Sequence, residues 1–596
     1  MPVYKAPLRD IRFVLHEVFG TEGLVALPGY GDFAPDLLDQ ILEEGARLAE
    51  NELQPLNLPG DTEGCVYENG VVRTPKGFRE AYENFCRGGW AALSCDPQYG
   101  GQGLPQVINF ILQEIISSAN LSFGMYPGLS HGAYNALHLH GADDLKKRYL
   151  PKLVDGTWSG TMCLTEPQCG TDLGLVRTKA EPAGDGSHKI TGTKIFISAG
   201  EHDLTENIIH LVLARLPDAP EGTRGISLFI VPKFLPEEDG TPGARNGVRC
   251  ASIEHKMGIR ASSTCVMNFD GATGWLVGEP HKGMKAMFTM MNAARLGVGM
   301  QGLGLAEVSA QNAVAYARER LQGRSVTGVK APDKPADPLI VHPDVRKNLL
   351  TMRAFNEGAR ALSIHIGMML DVAERHPDSD ARQEADDLVA LMTPVIKAYF
   401  TDMGFEGANR ALQLHGGYGY IHEYGMEQFV RDARITQIYE GANAIQALDL
   451  VGRKMGQNYG RLLRRFFHPL TRDIEKAMED PRTAEFAALL AKAFGRLQQA
   501  TVTIAQKGLK NADEAAAASA DYLRMFGLVA LGHMWLLMTL KASEKLSAGG
   551  EDGAFYETKL KTGRFFFTKM LPEVGSLFQS LMAGAEPLMA MEAEAF

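Results

Sequence analysis

The stretch HKITGTKIFISAG, residues 188–200, sets β-branched residues and a phenylalanine among threonines, lysines and glycines, a texture that favours a strand over a helix. Two runs of the same kind follow, NIIHLVLARL at 207–216 and RGISLFIVPKF at 224–234, each divided from the next by turn residues. They predict a compact β domain over about 161–280. On either side the period changes. In DLLDQILEEGARLAENEL, residues 36–53, leucines and isoleucines recur at spacings of three and four, and the helical pattern continues to about residue 160 with breaks such as DPQYGGQGLP. After MFTMMNAARLGVGMQGLGLAEVSAQNAVAYARER the chain returns to helices long enough for a bundle. The expected fold is mainly α with a central β domain. Its segments are a leader (1–35), a helical domain (36–160), the β domain (161–280), a helical bundle (281–455) and a helical extension (456–596).

At 596 residues the chain exceeds what one hydrophobic core supports, and its 45% hydrophobic and 22% charged residues describe an ordinary globular enzyme. A net charge of −11 argues against a generally nucleic-acid-binding surface. The beginning, MPVYKAPLRDIRFVLHEVF, lacks the basic region, apolar core and small-residue site of a secretory signal, so a cytoplasmic protein is expected. The most apolar run, MFGLVALGHMWLLMTL at 525–540, lies between Arg524 and Lys541 and reads as a buried helix rather than a membrane span. Seven cysteines without a CxxC pair fit reduced thiols that pack as small hydrophobes. His138 and His140 have no cysteine or carboxylate cluster at ligand spacing, so no metal site is expected.

Three segments carry polar groups suited to chemistry. TMCLTEPQCGTDLG, residues 161–174, reads as an exposed turn whose amides and the hydroxyls of Thr165 and Thr171 either bind a ligand or bond locally. In KIFISAG, strand alternation puts Phe196 and Ser198 on one face and Ile195 and Ile197 on the other, either to pack a flat heterocycle or as core and edge residues. In LQLHGGYGYIHEYGMEQFVRDARITQIYEGANAIQ, residues 412–446, the glycines allow close backbone approach, and Glu440 and Gly441 interrupt apolar residues at helical spacing. A carboxylate there is either a solvated surface group or, desolvated by apolar flanks, a base.

Four strings in order, LKKRYLPKLVDGTWSGTMCLTEPQCGTDLG, KITGTKIFISAG, HKMGIRASSTC and GGYGYIHEYGMEQFVRDARITQIYEGAN, resemble the acyl-CoA dehydrogenase family over about residues 36–455. The resemblance implies an N-terminal helical domain, a middle β barrel, a C-terminal four-helix bundle and FAD held partly by a neighbouring subunit. It implies Glu440 as the base that takes the proton α to the thioester carbonyl. Met162, Leu164, Thr165, Phe196 and Ser198 fall at the flavin, Gly170 and Thr171 near its pyrophosphate, and Arg320, Gln413 and Gly417 at FAD across the subunit boundary. For the substrate it implies Thr171, Arg295, Gly441 and Arg453. Departures from the family pattern are Ala442 and Ala444 after the base, and LQGRSVTG after Arg320, where Arg324 stands as a substitute contact.

The leader and extension are similar to those of long bacterial members, including broad-chain enzymes and those acting on 3-methylmercaptopropionyl-CoA in dimethylsulfoniopropionate breakdown. That thioester is the expected substrate, with a straight-chain short or medium acyl-CoA as the alternative, electron-transfer flavoprotein as acceptor and a homodimer as the assembly. An acyl-CoA oxidase and a DNA-associated flavoprotein of the same fold are the rival functions. NYGRLLRRFFHPL, residues 458–470, reads as a solvated or subunit-contacting helix, or as a basic membrane-surface helix.

Overall fold

The computed structural model describes residues 2–549 and 552–596. The chain divides into two compact units, one made of residues 1–46, 105–118 and 298–596, the other of residues 47–104 and 119–297.

The second unit holds the strands. A short hairpin, β1 (Val66–Glu68) and β2 (Val71–Arg73), turns at Asn69 and Gly70, both at positive φ, as a two-residue hairpin loop requires. This hairpin falls in a stretch whose sequence reads as helical. The main sheet contains β3 (Trp158–Cys163), β4 (Lys179–Pro182), β5 (His188–Ser198), β6 (Asn207–Arg215) and β7 (Ile226–Pro232). After the small pair β8 (Phe234–Pro236) and β9 (Pro242–Arg245), it is completed by β10 (Val248–Ile253) and β11 (Thr264–Val277). β4 pairs with β5, β5 with β11, β11 with β7, β7 with β6, and β6 with β4 through Lys179 and Arg215. These five strands therefore close into a ring, which β10 and β3 extend at its sides. Every residue of β7 and all but the last of β6 are buried, which is why NIIHLVLAR and ISLFIVP read as continuous rather than alternating apolar runs. Val212, Phe229, Met267 and Phe269 belong to one buried cluster, while Leu211, Leu213, Leu228 and Ile230 pack with Tyr149, Trp158 and Met287 in another.

The alternation expected in KIFISAG does not hold. Phe196 sits at φ 57°, and the register slips between Cys265 and Met267, so that Lys194 and Ile197, three residues apart, are both buried. A bulge with a left-handed residue turns Phe196 out of the pleat, and its side chain is 60% exposed.

The first unit is helical. Its longest elements include Pro343–Arg375, Ser379–His415, Arg461–Met478, Ala484–Gly508 and Ala512–Ala548. The last contains both the alanine tract and the apolar run. It is long and apolar enough to cross a membrane, yet 83% of its most apolar window is buried in the protein, as a core helix should be. The basic segment after Tyr459 packs inward, with Leu462, Phe466 and Leu470 buried and Arg461 and Arg465 paired to Asp387 and Glu384. Leader, bundle and extension meet in a buried ion cluster. Arg360 contacts Asp10, Glu114 and Glu307 (2.9 Å for Glu307), while Lys559 bonds Asp10 and, at 2.8 Å, Glu357.

Candidate active site

In the helical unit, the helix Met426–Thr436 ends and the chain bends through Ile438–Ala442 before the helix Asn443–Asp449. Glu440 (φ 57°) and Gly441 (φ 85°) are consecutive left-handed residues. Glycine accepts that conformation freely; at Glu440 the cost, about 1–3 kcal/mol, must be met by surrounding bonds. Gln446, fully buried, donates from Nε2 to the carbonyls of Gly441 (3.1 Å) and Glu440 (3.3 Å). Asn443 anchors the far side. Its Oδ1 accepts from buried Lys397 Nζ at 2.8 Å, its Nδ2 donates to Thr401 and Asp402, and its amide donates to Gln437 O at 3.1 Å. The Tyr439 hydroxyl bonds Gln301 Oε1, and burial together with the Glu440 charge pushes this phenol above its ordinary pKa. Lys397, Asn443 and Gln446 hold the turn, and sequence reasoning missed all three. The spacing of Gln446, six residues after Glu440, was the available signal, since it returns the side chain to the start of the next helix.

Not all the apolar flanks close over the turn. Ile438 and Leu448 are 50% and 42% exposed within this chain, because the left-handed pair breaks the helical face that their spacing suggested. Ala442 is the N-cap of the following helix and supplies no side-chain cap. Arg453 is drawn to Asp449 (2.6 Å) in the next turn.

Also in this unit, Arg320, Gln413 and Gly417 share an open cleft of about 550 Å³ with Tyr316, His415 and Tyr418. The Arg320 guanidinium lies 5.4 Å from the Tyr418 ring centroid, and the His415 ring stacks on Tyr316 at 4.3 Å. Arg324 does not join them. It bonds the carbonyls of Ala331 and Lys334 and the carboxylate of Asp337, and so is committed to its own loop.

In the β unit, Met162 lies on β3, and Leu164 and Thr165 directly follow it. The Thr165 carbonyl accepts from Ile195 N at 2.9 Å, which ties the end of β3 to β5 immediately before Phe196. Below that tie is a pair that sequence reasoning did not find: Lys194, with no exposed side-chain surface, donates to Glu166 at 2.8 Å and to Leu164 O at 2.9 Å. Glu166 also accepts from Thr178 Oγ1 and the amides of Arg177 and Thr178. Gly170 lies against Thr165, where an added Cβ would stand 3.7 Å from its methyl group, whereas Thr171 is exposed. Ser198, half-buried, pairs with Thr264 in the ladder. Arg295 is 6% exposed, 3.5 Å from Asn292 Oδ1 and over the Phe288 ring at 5.8 Å.

Despite its burial, the Lys194 ammonium and the hydrogen bonds hold the Glu166 carboxyl at about 2, below its ordinary 4.5. With the folded value lowered, this carboxylate contributes stability above pH 4.5 and loses it as pH falls through about 2; the shift corresponds to roughly 3 kcal/mol, partly offset by desolvation of Lys194. Lys194→Met leaves Glu166 buried beside no cation, at a cost of about 3–5 kcal/mol. Thermal melting should show a lowered transition; an unchanged melt would show that the pair does not brace the end of β3 against β5.

Within the β unit, the exposed aromatic ring of Phe196 and the hydroxyls of Thr165, Thr171 and Ser198 are groups of the kind that suit FAD; the helical unit, taken by itself, has a glycine-rich cleft carrying an arginine. Comparison with known proteins decides the family. Models of the acyl-CoA dehydrogenase N-terminal, middle and C-terminal domains match residues 38–157, 161–272 and 281–455, and an acetyl-CoA dehydrogenase C-terminal-like model matches 470–592. Over 571 residues the chain is 45% identical to 3-methylmercaptopropionyl-CoA dehydrogenase of Ruegeria pomeroyi, covering 96% of each chain. The chain belongs to the acyl-CoA dehydrogenase family. It is an FAD-dependent oxidoreductase acting on acyl-CoA thioesters. Butyryl-CoA dehydrogenase of Syntrophomonas wolfei is 34% identical over 609 residues, covering 100% of this dehydrogenase and 99% of that one. Among solved structures, Caenorhabditis elegans ACDH-11 in complex with C11-CoA shares the fold, with a TM-score of 0.78 at 18% identity over 99% of this chain and 95% of that one.

Proposed function

We propose that this dehydrogenase oxidises 3-methylmercaptopropionyl-CoA to its trans-2-enoyl thioester, with Glu440 as the catalytic base. The observation that carries the role of Glu440 is its turn: a carboxylate in left-handed backbone, followed by glycine and clamped by buried Gln446 and Asn443, is fixed in place at a conformational cost. Glu440 takes the α-proton, and its own amide is a donor for the thioester carbonyl as negative charge develops there. When bound, FAD supplies the acceptor for the hydride that leaves the β-carbon. Phe196, Ser198, Thr165 and the backbone at Met162 and Leu164 would hold its ring system, with Gly170 and Thr171 toward the pyrophosphate. Arg320, Gln413 and Gly417 would hold FAD of a second copy, which makes the expected assembly a homodimer. Arg295, Thr171 and Gly441 are assigned to substrate. Arg453 is a weaker assignment, since Asp449 already engages it. Electrons pass on to electron-transfer flavoprotein in this reading.

The choice of thioester is supported by the 45% identity to the Ruegeria pomeroyi enzyme against 34% to the butyryl-CoA enzyme. A panel of acyl-CoA thioesters, scored by anaerobic flavin bleaching, tests it. 3-Methylmercaptopropionyl-CoA should give the highest kcat/KM, with butyryl-CoA behind it; a straight-chain thioester preferred by about tenfold would overturn the choice. Rapid peroxide formation in air would instead favour an oxidase.

A further inference from the structure

The helical unit encloses a second space, unconnected with the Glu440 turn or the Arg320 cleft. A cavity of about 830 Å³ lies among the N-terminal segment Phe13–Phe19 and the helices Pro343–Arg375, Ser379–His415, Arg461–Met478 and Ala512–Ala548. Part of its lining is an apolar trough, in which Leu362, Ile366, Met392, Phe466 and Met534 are all buried; Glu384 and Asp473 also line it, each engaged by a basic side chain. His365 adds a ring stacked on Phe19 at 5.0 Å, and burial lowers its pKa to about 4, so it is neutral at physiological pH. The cations come from one helix. Arg464 and Arg472, with His468 midway between them, follow at intervals of four residues and so form one row along the helix Arg461–Met478.

These cations are incompletely spent. Among the described residues Arg464 Nη1 donates to the Tyr459 carbonyl at 2.8 Å and to no carboxylate, and Arg472 stands 76% exposed and 3.6 Å from Asp473, whose other oxygen already engages His533 at 2.8 Å. Arg465, by contrast, is engaged, paired to Glu384 at 2.7 Å with its Nε 3.7 Å from Asp387. Such a row over an apolar trough is notable in a chain of net charge −11.

We propose that this cavity binds the anion of a medium- or long-chain free fatty acid, its carboxylate on the Arg464–His468–Arg472 row and its alkyl tail along the trough. The chemistry excludes simpler occupants. A small anion would leave the trough unfilled, and a cationic amphiphile would meet the row unfavourably. The volume lies within the range of about 300–1,000 Å³ usual for small-molecule sites, and Met369, Met392 and Met534 provide walls that adapt to chain length. Because the lining joins leader, bundle and extension, occupancy should stabilise the whole unit by mass action.

Dodecanoate titrated into the FAD-loaded enzyme tests this, with the substrate pocket first filled by a non-reactive thioether analogue of acyl-CoA. Calorimetry should still count one dodecanoate per chain, with a raised melting temperature, whereas dodecyltrimethylammonium should not bind. The double variant Arg464→Glu, Arg472→Glu should weaken dodecanoate by at least about tenfold while leaving turnover unchanged. Ala381→Trp, which fills the cavity, should abolish binding; should that variant fail to fold, the charge-reversed one decides. No dodecanoate bound once the substrate pocket is filled, equal binding of the ammonium amphiphile, or full affinity in the charge-reversed variant would each overturn the proposal.

Discussion

Glu440→Gln retains its fold and its full complement of FAD but loses substrate-dependent flavin bleaching, with kcat down by about 10²–10⁴-fold, the range spanned by a positioned general base. The amide has nearly the shape of the carboxylate, and the Gln446 clamp acts on backbone carbonyls, so the turn should persist while the proposed proton acceptor is removed. Rapid-mixing absorbance gives the bleaching rate, and flavin content by extraction gives the control. A variant that keeps most of its turnover would remove Glu440 from the mechanism. Gln446→Met separates chemistry from positioning. It preserves volume but withdraws both donations to the turn, so kcat should fall about 10–100-fold while KM and the pH profile stay near those of the wild type.

The largest effect on stability is expected at Arg360. Its guanidinium is 1% exposed and faces Asp10, Glu114 and Glu307. Arg360→Met leaves Glu114 and Glu307 without their cation while Asp10 keeps Lys559, and breaking a buried pair from one side costs about 3–5 kcal/mol. The pH dependence has a definite sign. Burial raises the folded value of Glu114 to about 7, against an ordinary 4.5. Between those values the folded state binds the proton more tightly than the unfolded state, so stability falls as pH rises through the window. Without Arg360 the raising effect grows, and the window extends upward. The variant should therefore melt closest to wild type near pH 5 and furthest from it near pH 8. Melting curves that stay superimposed at pH 8 would show that the cluster contributes little.

Much of this was legible before the structure. The change of period at the β domain and the buried nature of the run at 525–540 followed from patterning, because both depend on short-range sequence. The rest depended on tertiary pairing. Lys194 and Glu166 lie 28 residues apart, and nothing local marks a lysine on an apparently alternating strand as buried. Phe196 was read on the right strand but with the wrong geometry, since a bulge is invisible to a period-two count. Arg324 was the right residue type in the right segment, and only the loop's own carbonyls reveal that it is occupied. At Glu440 the sequence marks the interruption, and the spacing of Gln446 offers a signal, while Lys397 comes from a separate helix and no local spacing groups it with the turn.

The ion cluster also constrains how the protein can be made. Asp10 is separated by 350 residues from Arg360 and by 549 from Lys559. At a synthesis rate of about 5–20 residues per second, the N-terminal segment therefore waits roughly 30–110 s after emerging before its last partner exists. Through that interval Phe13, fully buried in the finished protein, lacks the rings of Phe555 and Tyr556 against which it packs. This segment is thus among the last to be secured, long after its own synthesis, and protecting it on the ribosome is a requirement set by the topology itself.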